Sequence, residues 1–231
     1  AAEPFPLYLP RIANLSEHAE PPSSLDFLPF CSYLSIVMNA ADHVALLRGA
    51  LQPGGTWADL GSGTGAFTFA MAELLGPDAM IYSVDTDGRS LVVQEQELEA
   101  RFPALRVELI RADFKDALDI PSALDGVVMA NSLHFQRDAC AVLIHVSGWV
   151  KPGGKIVVVE YDIEMHNPWV PYPVPFSRLP SVAACAGLSA PRLLDSRPSR
   201  YHRRVYSAVC EKLPPARPAG SSQPGRPDTG T

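Results

Sequence analysis

Asp59-Leu60-Gly61-Ser62-Gly63-Thr64-Gly65 places three alternating glycines directly behind an acid. Glycines so spaced let a ligand approach the backbone closely, and where such a run opens a helix its free amides meet that ligand. Asp85 stands twenty residues beyond Gly65, where a carboxylate can accept both hydroxyls of a ribose. Ala112-Asp113-Phe114 offers an acid and a ring, suited to the amino group and face of an adenine. Brought to one edge of a sheet, these three places make an adenosine site. His134 has the one side chain in Asn131-Ser132-Leu133-His134 whose unperturbed pKa, near 6.5, suits proton transfer at neutral pH. It is the candidate general base. The competing expectation is a histidine that only hydrogen-bonds its loop or packs over the ligand.

Positioning these residues requires strands that end where the polar runs begin. TWADLG (56–61) reads as a strand feeding the glycine run, and Phe67, Ala70, Met71, Leu74 and Leu75 follow at helical spacing up to Gly76-Pro77. MIYSVD (80–85) is a second strand that ends on Asp85. A helix over 88–102 buries Leu91, Leu98 and Phe102 and leaves Glu95, Glu97 and Glu99 to solvent. LRVELIRAD (105–113) and LDGVVMAN (124–131) are the third and fourth strands. The next helix carries Ala139, Val142, Leu143, Val146, Trp149 and Val150 and is expected to run to Lys151-Pro152-Gly153-Gly154. KIVVVEYD (155–162) is apolar on successive positions, as a strand covered on both faces must be. Strand–helix alternation predicts right-handed βαβ units and a parallel sheet. Beyond a proline-rich loop, residues 176–188 read as one more helix, and PRLLDS and RRVYSAVC as a closing hairpin. The expected fold is α/β: a doubly wound, mostly parallel seven-stranded sheet with a C-terminal antiparallel hairpin.

Composition narrows the function classes. The 231 residues are 47% hydrophobic and carry a net charge of −6, enough to bury a core and too acidic for a general affinity for nucleic acid or anionic membranes. Five arginines crowd the closing hairpin (192, 197, 200, 203 and 204), and in so acidic a chain they read as solvated. No apolar run approaches the roughly 20 residues of a membrane helix. The opening AAEPFPLYLP has neither a basic stretch nor an apolar core, so no secretory leader is expected. The four cysteines (31, 140, 185 and 210) are widely spaced and are expected to be buried free thiols in a reducing, cytoplasmic setting, with no metal site. Proline density divides the chain into an N-terminal extension (1–38) that could cover a pocket, a folded domain (39–212), and a tail (213–231) with little to bury.

Dinucleotide binding is the natural rival, since Gly61, Gly63 and Ala66 also satisfy GxGxxA. Three features favour another ligand: Asp59 could face a cationic amino acid, Lys151-Pro152-Gly153-Gly154 precedes the fifth strand, and the terminal hairpin adds a reversed strand. With these motifs the sequence resembles class I S-adenosylmethionine-dependent methyltransferases. Within them it is most similar to the small-molecule group of the ubiquinone and menaquinone biosynthesis enzymes. The resemblance spans about 39–210 and implies S-adenosylmethionine as cofactor. It implies that Asp59, Gly61, Gly63 and Gly65 hold the methionine part, Asp85 the ribose, and Asp113 with Phe114 the adenine. Asn131 to His134 would then lie beneath the reacting sulfonium, with Asn131 and His134 the candidate catalytic residues.

The acceptor is less sharply written. An Asn/Asp-Pro-Pro-Tyr motif is missing after the fourth strand, and Asn167-Pro168-Trp169 follows the fifth and reads as a turn. Family architecture implies acceptor contacts before the core (Phe27, Phe30, Tyr33) and after the fifth strand (His166, Trp169, Tyr172, Phe176). Aromatic walls suit an apolar or planar small molecule. Each of these rings could equally close the end of the core. The expected activity is methyl transfer to O, N or C of a small-molecule acceptor. The alternatives are an inactive cofactor-binding partner subunit and, less favoured, an NAD-binding oxidoreductase.

Overall fold

The computed structural model describes residues 38–199 and 204–214. The expected N-terminal cover with Phe27, Phe30 and Tyr33, Cys31, Arg200 and Arg203, and most of the tail lie outside them. The elements run α1 (Ala40–Arg48), β1 (Thr56–Leu60), α2 (Ala66–Leu75), β2 (Met80–Asp85), α3 (Gly88–Arg101), β3 (Arg106–Arg111) and β4 (Leu124–Ala130). They continue with α4 (Ala139–Ser147), β5 (Val150–Tyr161), α5 (Leu179–Cys185), β6 (Arg192–Pro198) and β7 (Arg204–Glu211). One seven-stranded sheet has the order β3-β2-β1-β4-β5-β7-β6. The pairs among β1 to β5 are parallel, and β7 is antiparallel to both β5 and β6. Strand order reverses between β1 and β4, and a crevice opens there at the carboxyl ends of the strands.

Period-two side chains split each central strand between two cores. Ala58, Val127, Met129, Ile156, Val158, Tyr206 and Ala208 face one side, where Leu143 and Val146 of α4 and Leu179 and Ala183 of α5 cover them. Trp57, Val128, Val157, Val159 and Val205 face the other, under Leu46 and Leu47 of α1 and Met71 and Leu75 of α2. This is why Ile156–Val159 is apolar without interruption: burying each such side chain contributes roughly 1.5–3 kcal/mol. Helix starts are fastened by short acceptors. Asn39 forms a capping box with Asp42, and Asp87 and Asp138 cap α3 and α4.

Four expectations are corrected. The helix ending the fourth unit stops at Ser147, because Gly148 turns its amide back to the His145 carbonyl (3.0 Å) and Trp149 leaves the helical path. Val150 already pairs with Leu124, so β5 begins five residues before Lys155, and Lys151 to Gly154 bulge out before the register resumes at Gly126 and Lys155. The last helix is shorter than 176–188: Pro180 sets its first turn, and Arg178 and Leu179 amides close a turn on the Pro175 carbonyl. Finally, Cys140 and Cys185 are bonded to each other, with Cα atoms 5.9 Å apart, while Cys210 is a buried free thiol as expected. Packing α4 and α5 over the same core face brings together two thiols 45 residues apart in the chain.

Candidate functional site

The glycine run leaves β1 and turns into α2 beneath a loop from β4. At Gly61 (φ 81°) a Cβ would stand 2.5 Å from the Ser132 Cβ, so only glycine lets the two loops touch. At Gly65 (φ 92°) a Cβ would strike the Gln94 side chain at 2.6 Å. Gly61 and Ser62 amides donate to the Val84 carbonyl at 2.8 and 3.1 Å, which ties the loop to the end of β2.

Beneath the loop runs a buried polar chain. The Thr68 hydroxyl donates to Asp59 Oδ2 (2.6 Å), and the Ser83 hydroxyl donates to Gln94 Oε1 (2.6 Å). The Gln94 amide then donates to the Gly63 carbonyl (3.1 Å) and the Ser62 hydroxyl (3.3 Å). Gln94 comes from α3 and is wholly buried. Its role was readable from its spacing, three residues after Leu91 and four before Leu98, on the face the helix buries. Asp59 is fully buried, its Oδ1 has no partner, and burial pushes its carboxyl up to about 7 against the Thr68 hydrogen bond.

Asp85 ends β2 half-buried. Its Oδ2 accepts the Gly63 amide (2.7 Å) and its Oδ1 the Asp87 amide (2.8 Å), leaving each oxygen further acceptor capacity. Asp113 follows β3. Burial raises its carboxyl, but the Lys115 amide (2.9 Å) and ammonium (3.0 Å) outweigh that and hold it below the ordinary value. Gly61, Asp85, Asp113, Phe114, Asn131 and Ser132 line one cavity of about 340 Å³, closed by Phe135 and Gln136. Spacing predicts the first four of these at one site, and the family resemblance adds Asn131. Asp59 and Gly65 lie buried under the loop.

The loop after β4 carries the densest set of unusual features. Asn131 has φ 51°, the one positive value at a non-glycine position among the described residues. Its Oδ1 and the Ser132 hydroxyl are buried without partners, the condition expected of groups awaiting a ligand. The next two residues are anchored by Glu160 at the end of β5. Its Oε1 accepts the Leu133 and His134 amides (3.0 and 3.1 Å), and its Oε2 lies 2.6 Å from His134 Nδ1. His134 is 2% exposed and Glu160 is fully buried. Glu160 escaped the sequence reading because it sits in an apolar strand, 26 residues from its partner.

The expected acceptor residues separate. Tyr172 lines a second hollow of about 620 Å³, which shares Phe135 and Gln136 with the first and adds Lys115, Arg137 and His145. His166 is exposed, Trp169 is 74% exposed, and neither lines these two cavities. Asn167 makes the expected turn, its Oδ1 accepting the Trp169 and Val170 amides. Phe176 packs edge-on against Tyr206 and belongs to the core. In the hairpin, Arg197 pairs with Asp195 and Asp42, Arg192 reaches the Gly49 carbonyl, and Arg204 reaches Ser196.

A family model described as "Methyltransferase domain" matches residues 51–184, more than half of the chain and every element that builds the crevice. The chain belongs to this methyltransferase-domain family. Among curated relatives, demethylmenaquinone methyltransferase of Bacillus mycoides is 32% identical over 113 residues, 48% of this chain and 46% of that protein. The chain thus spans about half the length of the curated relatives it matches. Among solved structures, a SAM dependent methyltransferase from Aquifex aeolicus superposes with a TM-score of 0.60 at 15% identity, covering 74% of this chain and 90% of that one. The [4+2]-cyclase SpnF gives 0.62 at 16% identity, over 75% and 81%. These likenesses bear out the doubly wound sheet with its reversed hairpin. In the methyltransferase domain of this chain, no helix among the described residues is long and apolar enough to cross a membrane.

Proposed function

We propose that this chain binds S-adenosylmethionine and transfers its methyl group to a small-molecule acceptor. The observation that carries the proposal is the single cavity lined by Gly61, Asp85, Asp113, Phe114 and Asn131. Those residues fit the cofactor: Asp85 retains acceptor capacity for ribose hydroxyls, Asp113 and Phe114 offer an edge and a ring to adenine, and the glycine loop leaves room for the methionine part. When bound, the cofactor supplies an electrophilic methyl on a sulfonium whose departure needs no proton. The protein's main task is then alignment, which can supply roughly 7–11 kcal/mol of the barrier. Asn131 and Ser132 hold one wall of the cleft for that purpose.

The acceptor we favour is a planar phenol or hydroquinone. Relatives named demethylmenaquinone methyltransferase support this class, as do Phe135 and Tyr172 at the adjoining hollow. Neither nucleic acid nor a membrane is needed as partner. A cytoplasmic location belongs to the same proposal. Calorimetric titration with S-adenosylmethionine, S-adenosylhomocysteine and NAD is the first test. Binding of the first two and not NAD is expected; NAD bound as tightly would restore the dinucleotide reading. Mass detection of one added methyl on 1,4-naphthohydroquinone tests the transfer.

A further inference from the structure

We propose that the Cys140–Cys185 bond is a reversible exchange site for a small thiol, and that its two states tighten and loosen the hollow beside the cofactor cavity. The effect on an acceptor rests on the methyl transfer proposed above. Cys140 lies in the first turn of α4 and Cys185 is the last residue of α5, so the bond joins one end of each helix. Cys185 is exposed and Cys140 half-buried, which leaves the bond reachable from solvent on the Cys185 side. Cys210, 1% exposed, is shut off from such exchange. The fold does not depend on the bond: Leu143 and Val146 of α4 and Leu179 and Ala183 of α5 already pack over one core face. Breaking it removes a tether and leaves that packing in place.

The tether lies beside the hollow of about 620 Å³. One side of that hollow is a single face of α4 and its cap, with Asp138, Ala141, Val142 and His145 three or four residues apart. Cys140 stands between the first two of these in the chain. Tyr172 lines the hollow from the stretch that leads into α5, its amide donating to the His134 carbonyl (3.0 Å). With the bond closed, the first turn of α4 is tied to the end of α5. With it open, that turn is held only by the Asp138 cap on the Ala141 amide (2.9 Å) and the packing of Ala139 and Val142. The cofactor cavity stands apart from this change, because the ends of β1 to β4 and the loops behind them line it, and neither α4 nor α5 does. Opening the bond takes two electrons from two thiols. The first thiolate attacks Cys185 Sγ, the S–S bond breaks, and its electron pair leaves on Cys140 Sγ, which takes up a proton. A second thiolate attacks the outer sulfur of the mixed disulfide, freeing Cys185 to take a proton and releasing the small disulfide. The same steps in reverse close the bond, with the small disulfide as oxidant.

Glutathione is the probe. The full chain is equilibrated without oxygen in buffers running from excess glutathione disulfide to a roughly thousandfold excess of the thiol, then alkylated and mapped by peptide mass. Cys140 and Cys185 should pass together from bonded to alkylated across that range, with the circular dichroism spectrum unchanged. Amide hydrogen exchange should speed roughly tenfold or more over 139–142 on reduction and stay constant over 61–65. The double variant Cys140→Ser, Cys185→Ser stands for the open state in kinetics, and reduced wild type replaces it if it does not fold. Its KM for 1,4-naphthohydroquinone should exceed that of the oxidised wild type roughly fivefold or more, with kcat and S-adenosylhomocysteine affinity within about twofold. A pair that stays bonded or stays free through all the buffers, or a fold lost on reduction, would overturn the exchange site. Constant exchange over 139–142, a KM within about twofold in the two states, or KM and cofactor affinity shifting together would overturn its effect on the hollow. Failure of the oxidised wild type to bind S-adenosylhomocysteine would instead remove the function beneath it, and turnover absent despite that binding would remove the acceptor class. In both cases the mapping and the amide exchange still decide the site and its effect on α4.

Discussion

Replacing Asp59 by asparagine should stabilise the protein by an amount that grows with pH. Asp59 is fully buried, its Oδ1 has no partner, and its carboxyl sits at about 7 instead of 3.8. At about 1.4 kcal/mol per tenfold change, that difference amounts to roughly 4 kcal/mol of preference for the neutral form. Below pH 4 the folded and unfolded chains both hold the proton, and the site costs nothing. Between pH 4 and 7 the unfolded chain releases it while the folded chain keeps it, so stability falls with rising pH. Above 7 both are ionised and the cost levels off. The asparagine of the variant does not titrate and still accepts from Thr68. Urea unfolding followed by circular dichroism, run on both proteins from pH 4.5 to 8, isolates this site together with its repulsion from Asp85. The stability gap between variant and wild type should widen by roughly 3–4 kcal/mol across that range. A gap constant within about 0.5 kcal/mol would refute the reasoning and mean that water or a partner reaches Oδ1.

Asp85→Ala leaves the Gly63 and Asp87 amides without their acceptor and removes the expected ribose acceptor. It should weaken S-adenosylhomocysteine binding roughly ten- to a hundredfold by calorimetry, and unchanged affinity in a folded variant would remove Asp85 from the site. Gln94→Leu keeps the packing but deprives Ser83, Ser62 and the Gly63 carbonyl of their partner. Chemical unfolding should show a loss of roughly 2–3 kcal/mol, with cofactor binding weakened too; retention of both would make the buried chain incidental. Trp169→Ala removes a ring that is 74% exposed and lines neither cavity, so melting temperature and acceptor KM should both match wild type. A raised KM would return Trp169 to acceptor binding.

What the sequence made legible was whatever repeats locally. Ile156–Val159 announced a strand covered on both faces, and Asp85 announced itself by ending a strand at the right distance from Gly65. Features made by two distant elements stayed hidden. Gln94 sits on the inner face by its spacing from Leu91 and Leu98, but its partners in the glycine loop, some thirty residues away, left no local sign. Glu160 looked like a blemish in an apolar run until the β4 loop closed over it. The thiols of Cys140 and Cys185 meet only once α4 and α5 share a core face. Trp149 and Val150 fit a helical period, and the hydrogen bond from the Leu124 amide to the Trp149 carbonyl decided otherwise.

The place of β7 between β5 and β6 also bears on how the chain is made. Synthesis delivers β1 to β5 first, yet β5 then presents an unpaired edge along Lys155–Tyr161 until Val205–Glu211 arrives to pair with it. That edge is apolar through Ile156–Val159, the kind of strand another nascent chain could add to. On the ribosome, the half of the sheet that bears the crevice can therefore assemble while its flank stays adhesive. The last strand laid down is the one that seals it.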